Sequence, residues 1–181
     1  MPVATARARF ARPDLTTFCR LDELDLVVTG QRLEPDRAVL ACRVLTPDEW
    51  CRRCGAEGAA RDTVIRRLAH EPLGWRPTVL EVAVRRYRCT GCGHVWRQDT
   101  TRAAEPRSKL SRRGLRWALE ALVVQHLTVT RIAEGLDVAW DTASPSAIRA
   151  TVRCATTSPS NALRSARQDN FARGSAALLM S

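Results

Sequence analysis

Aromatic residues make up only 5% of the 181 residues, so any hydrophobic core formed here is modest. No run of the chain is apolar for long enough to cross a bilayer. The opening stretch MPVATARARFARPDL carries arginines but lacks the apolar segment of a secretory signal. An arginine-rich, acid-poor start has something of a transit peptide, but a flexible leader over residues 1–17 is the simpler expectation. With no sign of export, the expected compartment is a reducing cytoplasm. There, paired cysteines serve more often as metal ligands or redox centres than as structural disulfides.

Positive charge is abundant. The formal charge is +10 and the sequence pI about 10.4, which points to a polyanionic partner, most often nucleic acid, with a merely solvated basic surface as the alternative. The charge is unevenly placed. Residues 1–50 hold seven Arg against eight acids, whereas residues 61–117 hold fourteen Lys and Arg against five. RSKLSRRGLR, residues 107–116, has five basic residues and no acid.

The hydrophobic pattern predicts an α+β chain. LDLVVTGQRL and RAVLACRVL are β-rich runs separated by the turn-like EPD and read as a hairpin leading towards Cys51. TVIRRLAH is a further candidate strand. EPLGWRP, with two prolines and a glycine, reads as a loop. In TVLEVAVRRYRC, alternation places Leu80, Val82 and Val84 on one face and Glu81 and Arg85 on the other, and the strand delivers Cys89.

Cys-x-x-Cys-Gly occurs twice, as Cys51/Cys54 in WCRRCG and Cys89/Cys92 in RCTGCG, with 34 residues between them. Two thiolates three positions apart converge on one ion, turn amides stabilise their charge, and the glycine permits the turn that follows. Four sulfurs make a closed tetrahedral Zn²⁺ site, the structural kind, with no open position for a substrate water. A dithiol redox centre would need one such pair in front of a helix within a βαβ unit, and neither pair has that setting. His94, two residues beyond Cys92, is an alternative ligand or a bystander. Cys19, Cys42 and Cys154 lack paired spacing and read as buried or free thiols. Zinc binding contributes roughly 10–16 kcal/mol of apparent free energy, which becomes folding energy when the unfolded chain has no preformed site.

The later part of the chain is helical. Ser108 or Ser111 can cap a helix running to about His126, with Leu115, Ala118, Leu119 and Leu122 recurring at helical spacing. His126 is expected to cap or pack. Thr128 or Thr130 can cap a shorter helix bearing Ile132, Ala133 and Leu136. A turn follows at Asp137 and Val138, and Trp140 opens another helix. This is helix-turn-helix spacing, with small Ala133 where two helices touch, a turn residue four positions on, and apolar Val138. Short amphipathic helices of an ordinary bundle would look similar.

Taken together, WCRRCG, RRLAHEPLGWRP, RRYRCTGCGHVW, SRRGLRWALEALVVQHLTVTRIAEGL and VAWDTA resemble the N-terminal half of bacterial insertion-sequence transposases of the ISL-three type, over roughly residues 18–143. The resemblance implies that Cys51, Cys54, Cys89 and Cys92 hold zinc and that the helices after Arg107 recognise transposon-end DNA. It also implies that arginines around the knuckles meet phosphate. The expected contact set is Arg107, Lys109, Arg112, Arg113 and Arg116 on phosphate, with Trp140 and Thr142 at the last helix.

Several features depart from that family. Its members continue into an RNase H-like domain whose two Asp and one Glu bind divalent metals. Here Asp141 and Asp169 are the only acids beyond Asp137, too few for a two-metal site. Ala139 replaces a common capping serine. Pro145 falls inside the reading helix and pushes Ser144 out of helical geometry. From Ser144 to Ser181, Ala, Ser, Thr and Arg make up 23 of 38 residues without a convincing period. A disordered tail that leaves its ancestral reading frame near Ser144 is expected, and an alternative frame should encode the missing acids.

The combined expectation is a zinc-ribbon-like β module (18–100), a linker (101–107), a helix-turn-helix module (108–143) and a tail (144–181). The expected function is binding transposon-end DNA at the bacterial nucleoid, without catalysis, either as a homo-oligomer or beside intact transposase, and with no membrane association. The alternatives are a transposase completed by a second chain that supplies the acids, and a zinc-ribbon protein-interaction module.

Overall fold

The computed structural model describes residues 13–144 and 148–149. A five-stranded sheet runs in spatial order β1 (Leu26–Leu33), β2 (Ala38–Val44), β4 (Arg76–Cys89), β3 (Gly58–Leu73), with β5 (Val95–Arg97) added to β4 beyond the end of β2. The β1–β2 hairpin forms as its sequence predicts. β2 then pairs with β4 in parallel, so β4 inserts between β2 and β3.

Leu80, Val82 and Val84 share the buried face, where they meet Leu40, Cys42 and Leu68. Their cover comes from two segments far apart in the chain. One part is α1 (Leu15–Phe18) with the single 3-10 turn after it, and the other is the segment holding Ala103 and Ala104.

Three expectations about irregular segments are corrected. EPLGWRP is not an open loop, because β3 and β4 run on through it to a tip at Gly74 and Trp75, with Leu73 opposite Arg76. Gly74 has φ 67°, a conformation that costs glycine little. Residues 101–107 are not a spacer, since Ala103, Ala104 and Glu105 are buried and Arg112 N–H donates to Ala103 O at 2.8 Å. The fold also starts before residue 18. Asp14 caps α1 by accepting from the amides of Thr16 and Thr17, so only residues 1–12 of the expected leader lie outside the described residues.

A second core joins the helices to the end of β3. α2 (Arg112–Val123) is capped by Ser111, whose hydroxyl accepts from Gly114 N at 3.0 Å. The helix stops three residues short of His126, which is exposed and left-handed, φ 53°, within the turn that Leu127 N closes onto Ala121 O at 2.9 Å. Gly114 lies against β3, where a Cβ would sit 2.7 Å from Ala69 O. α3 (Val129–Leu136) is capped by Thr128 and buries Ile132, Ala133 and Leu136 as its pattern predicts. Gly135 faces the Trp117 ring, a close approach of α2 and α3 that spacing alone did not reveal.

Asp137 takes the left-handed conformation, φ 52°, after α3. α4 (Trp140–Ala143) spans four residues, and Ser144 is extended, as a following proline requires. The tail does not begin cleanly at Ser144, however. Ile148 is buried in the helical core and its N–H donates to Ser144 O at 3.0 Å. Residues 145–147 and 150–181, which include Cys154 and most of the expected out-of-frame tail, lie outside the described residues.

Candidate metal centre and basic surface

Each Cys-x-x-Cys-Gly segment folds into the same local turn. In the first, Gly55 N donates to Cys51 O at 2.9 Å and Cys51 N to Ala56 O at 2.9 Å. In the second, Gly93 N donates to Cys89 O at 3.2 Å and Cys89 N to His94 O at 2.8 Å. Gly55 and Gly93 have φ 75° and 69°, which is why a glycine follows each second cysteine. Thr90, through both N and Oγ1, donates to Glu57 O and ties the two knuckles together.

The four sulfurs of Cys51, Cys54, Cys89 and Cys92 lie within 4.8 Å of one another. Cys51 and Cys92 are 3.7 Å apart, and Cys54 and Cys89 are 3.4 Å apart. A tetrahedron with Zn–S bonds near 2.3 Å has edges of about 3.8 Å, so the cluster has the dimensions of a four-thiolate site. The group can hold a metal ion, and soft thiolate donors in this shape suit zinc.

The surrounding charges favour the same use. The amide of Cys92, against partial burial, holds the Cys89 thiol down at about 6. Burial raises Cys51, but the amides of Arg53 and Cys54 outweigh it and leave this thiol below its ordinary value. The amide of Ala56 favours the Cys54 thiolate, yet the neighbouring sulfurs push it up to about 12. Four thiols this close cannot all ionise without a cation among them.

Aromatic packing supports the knuckles from below. Trp96 stacks on Tyr87 at 5.7 Å, lies over Gly58, and donates its indole N–H to Asp48 O at 2.8 Å. His94 also stacks on Trp96, at 6.1 Å, and stays out of the sulfur cluster. Cys19 and Cys42 are buried in the sheet core as free thiols.

The expected DNA-contact residues divide into two groups. Arg107, Lys109, Arg116 and Trp140 are exposed, and Thr142 is half-buried. Arg112 and Arg113 are instead half-buried and engaged by acids of the fold. Arg112 donates to Thr101 O and to the carboxylate of Glu105, which is 5% exposed. Arg113 grips Glu71 with two N–H groups at 2.7 and 2.8 Å and reaches Glu23 at 3.1 Å. A phosphate would have to displace these acids. Arg113 fastens α2 to β3, a role hidden by the 42 and 90 residues that separate it from Glu71 and Glu23, while Arg112 ties the helix to the segment before it.

His70 was not singled out by sequence, which offers no local signal for it. It is fully buried, with Nδ1 2.9 Å from Ser111 Oγ and no partner for Nε2. Burial pushes it down to about 4, although the charge of Glu71 pulls the other way.

Among the described residues no helix is long and apolar enough to cross a membrane. Set against protein families, characterised proteins and solved structures, the chain matches none, and its function has to be read from this geometry.

Proposed function

We propose that this chain is the DNA-binding portion of an insertion-sequence transposase of the ISL-three type. A structural Zn²⁺ is held by Cys51, Cys54, Cys89 and Cys92, and the chain engages transposon-end DNA without itself cleaving or joining strands. The carrying observation is a four-sulfur cluster of tetrahedral size beside exposed Arg53, Arg88 and Arg97. α3, the left-handed turn at Asp137 and α4 act as the helix-turn-helix, with Arg107, Lys109 and Arg116 on phosphate. Because α4 is only four residues long, base readout through Trp140 and Thr142 is weak.

The long β3–β4 hairpin sets the scale of the footprint. Cys89 lies ten residues along β4 from Val79, the partner of Ala69 beneath α2. At about 3.3 Å per residue this separates knuckles and helices by about 33 Å, close to one turn of B-DNA. The protein-interaction alternative draws on the internal pairing of Arg112 and Arg113, which removes two cations from the binding surface.

Binding of duplex DNA as a function of salt tests the proposal. Neutralising Arg107, Lys109 and Arg116 together is expected to flatten the log-log salt dependence by about 2.7, at about 0.9 per contact, for all sequences alike. Alanine at Arg112 or Arg113 should instead lower unfolding stability and leave that slope in place. If the intact protein shows no salt-dependent affinity, the DNA reading is wrong and the interaction module stands. With Mg²⁺ or Mn²⁺ the chain should neither cleave nor join DNA.

A further inference from the structure

An open cavity of about 220 Å³ lies beside the knuckles, lined by Arg52, Arg66, Arg97, Asp99, Thr100 and Thr101, among others. Its inner wall is unusual in charge. Arg66 is half-buried, and its hydrogen bonds go to Thr100 Oγ1 at 2.7 Å, Glu105 O at 2.6 Å and Ser108 O at 3.1 Å, all neutral acceptors. Most other half-buried arginines answer to acids. Arg37 meets Asp36 and Asp137, Arg86 meets Asp62, Arg112 meets Glu105 and Arg113 meets Glu71, whereas Arg76 donates to Glu34 O at 3.1 Å and reaches Asp36 by its field alone.

Burial lowers the pKa of Arg66 and no nearby acid opposes it, so a positive charge is held in the fold without a counter-charge. The rest of the rim adds to it. Arg97 is exposed, with its field reaching Asp62, while Arg52 pairs with Asp48 at 3.3 Å. Asp99 is the one acid in the lining, and its Oδ1 is engaged by Thr101 N at 2.8 Å. With Arg52 shared with Asp48, the Arg66 and Arg97 guanidiniums outnumber the one carboxylate of the lining, Asp99, in a hollow of a size that admits a phosphoryl group. Thr100 and Thr101 stand at its wall as hydroxyl donors. Buried charge of this kind is costly unless it is paired, and an anion in the cavity would supply the pair.

We propose that this cavity is a phosphate-binding site, with Arg66 as its base and Arg97 and Arg52 as its rim. The phosphate chemistry rests on the cavity alone. That the phosphate belongs to a nucleic-acid backbone rests on the function proposed above, and the site would then anchor the duplex beside the knuckles.

The test titrates the zinc-loaded full chain with inorganic phosphate while following arginine Nε–H signals by NMR, and separately measures duplex DNA affinity against salt. Saturable shifts at Arg66 and Arg97 are expected, lost in Arg97→Gln, a rim variant that removes none of the hydrogen bonds holding residues 99–108. In that variant the DNA salt slope should fall by about 0.9, the share of one phosphate contact. Arg66→Lys, which keeps the charge but loses the planar fork, should weaken phosphate more than it changes zinc content. Saturable phosphate binding with an unchanged DNA slope overturns the backbone source and assigns the site to a free anion. Saturable phosphate binding by a chain that binds no DNA sinks the proposed function and leaves the site. The absence of any saturable shift at Arg66 overturns the site itself.

Discussion

Serine at Cys51 or Cys89 should unfold the knuckle end of the sheet and abolish stoichiometric zinc. These are the two buried sulfurs, and Cys89 is the last residue of β4, so losing either frees both the strand end and the turn that follows. The size of the effect follows from comparing two quantities. Structural zinc contributes roughly 10–16 kcal/mol of apparent binding free energy, whereas a domain of this kind is stable by about 5–15 kcal/mol in total. Removing the metal therefore removes most of what holds this end.

The pairs Tyr87–Trp96 and His94–Trp96 stack directly below the cluster and should lose their order with it. Near-ultraviolet circular dichroism of the tryptophans, read while a chelator is added, follows that step. Cobalt in place of zinc should give the absorption of a four-thiolate tetrahedral site. Serine at exposed Cys54 or Cys92 should be milder, because water can reach the vacated position. Reduced, purified protein that contains no zinc and keeps its fold would refute the metal assignment.

Acid should destabilise the chain through His70 as well as through the thiols. Unfolded histidine titrates near 6.5, while burial holds His70 at about 4 in the fold. Between these values the unfolded chain binds a proton that the folded chain excludes, so stability falls as pH falls. The contribution is fully present above pH 6.5 and is lost progressively down to about 4, and it amounts to about 3 kcal/mol. Nδ1 already faces Ser111 Oγ, and neither the Glu71 charge nor the Cys19 backbone offsets the cost of burying a charged ring.

His70→Asn places an amide near the Nδ1 position and removes the titration. Its unfolding free energy should therefore vary less between pH 6.5 and 4 than that of the parent chain. Thiol protonation and metal loss act on both proteins alike, and the difference between them isolates the imidazole. An imidazole that titrates near 6.5 by NMR in the folded protein would show that His70 is not sealed in.

Whatever depends on a few neighbouring residues was legible in advance. Each knuckle is a six-residue turn whose hydrogen bonds close within Cys51–Ala56 or Cys89–His94, so spacing and a glycine sufficed to find it. Alternation placed Leu80, Val82 and Val84 inside, and local side chains narrowed the caps to Ser108 or Ser111 and Thr128 or Thr130, of which Ser111 and Thr128 serve. The meeting of the two knuckles was legible for a different reason. Two ligands cannot close a site alone, so each pair required the other.

Only the tertiary structure decided which charges are available. RSKLSRRGLR looks uniformly basic, yet Arg113 is spent on Glu71 and Glu23, and Arg112 on Glu105. Arg66 is left with neutral partners although it sits in an ordinary strand. The same holds for buried Ala103 and Ala104, for His70 against Ser111, and for the parallel pairing of β2 with β4. Apart from Arg112 and Glu105, which are seven positions apart, each depends on residues dozens of positions apart, and a local pattern carries no record of such pairings because their energies arise only when the sheet and helices have packed.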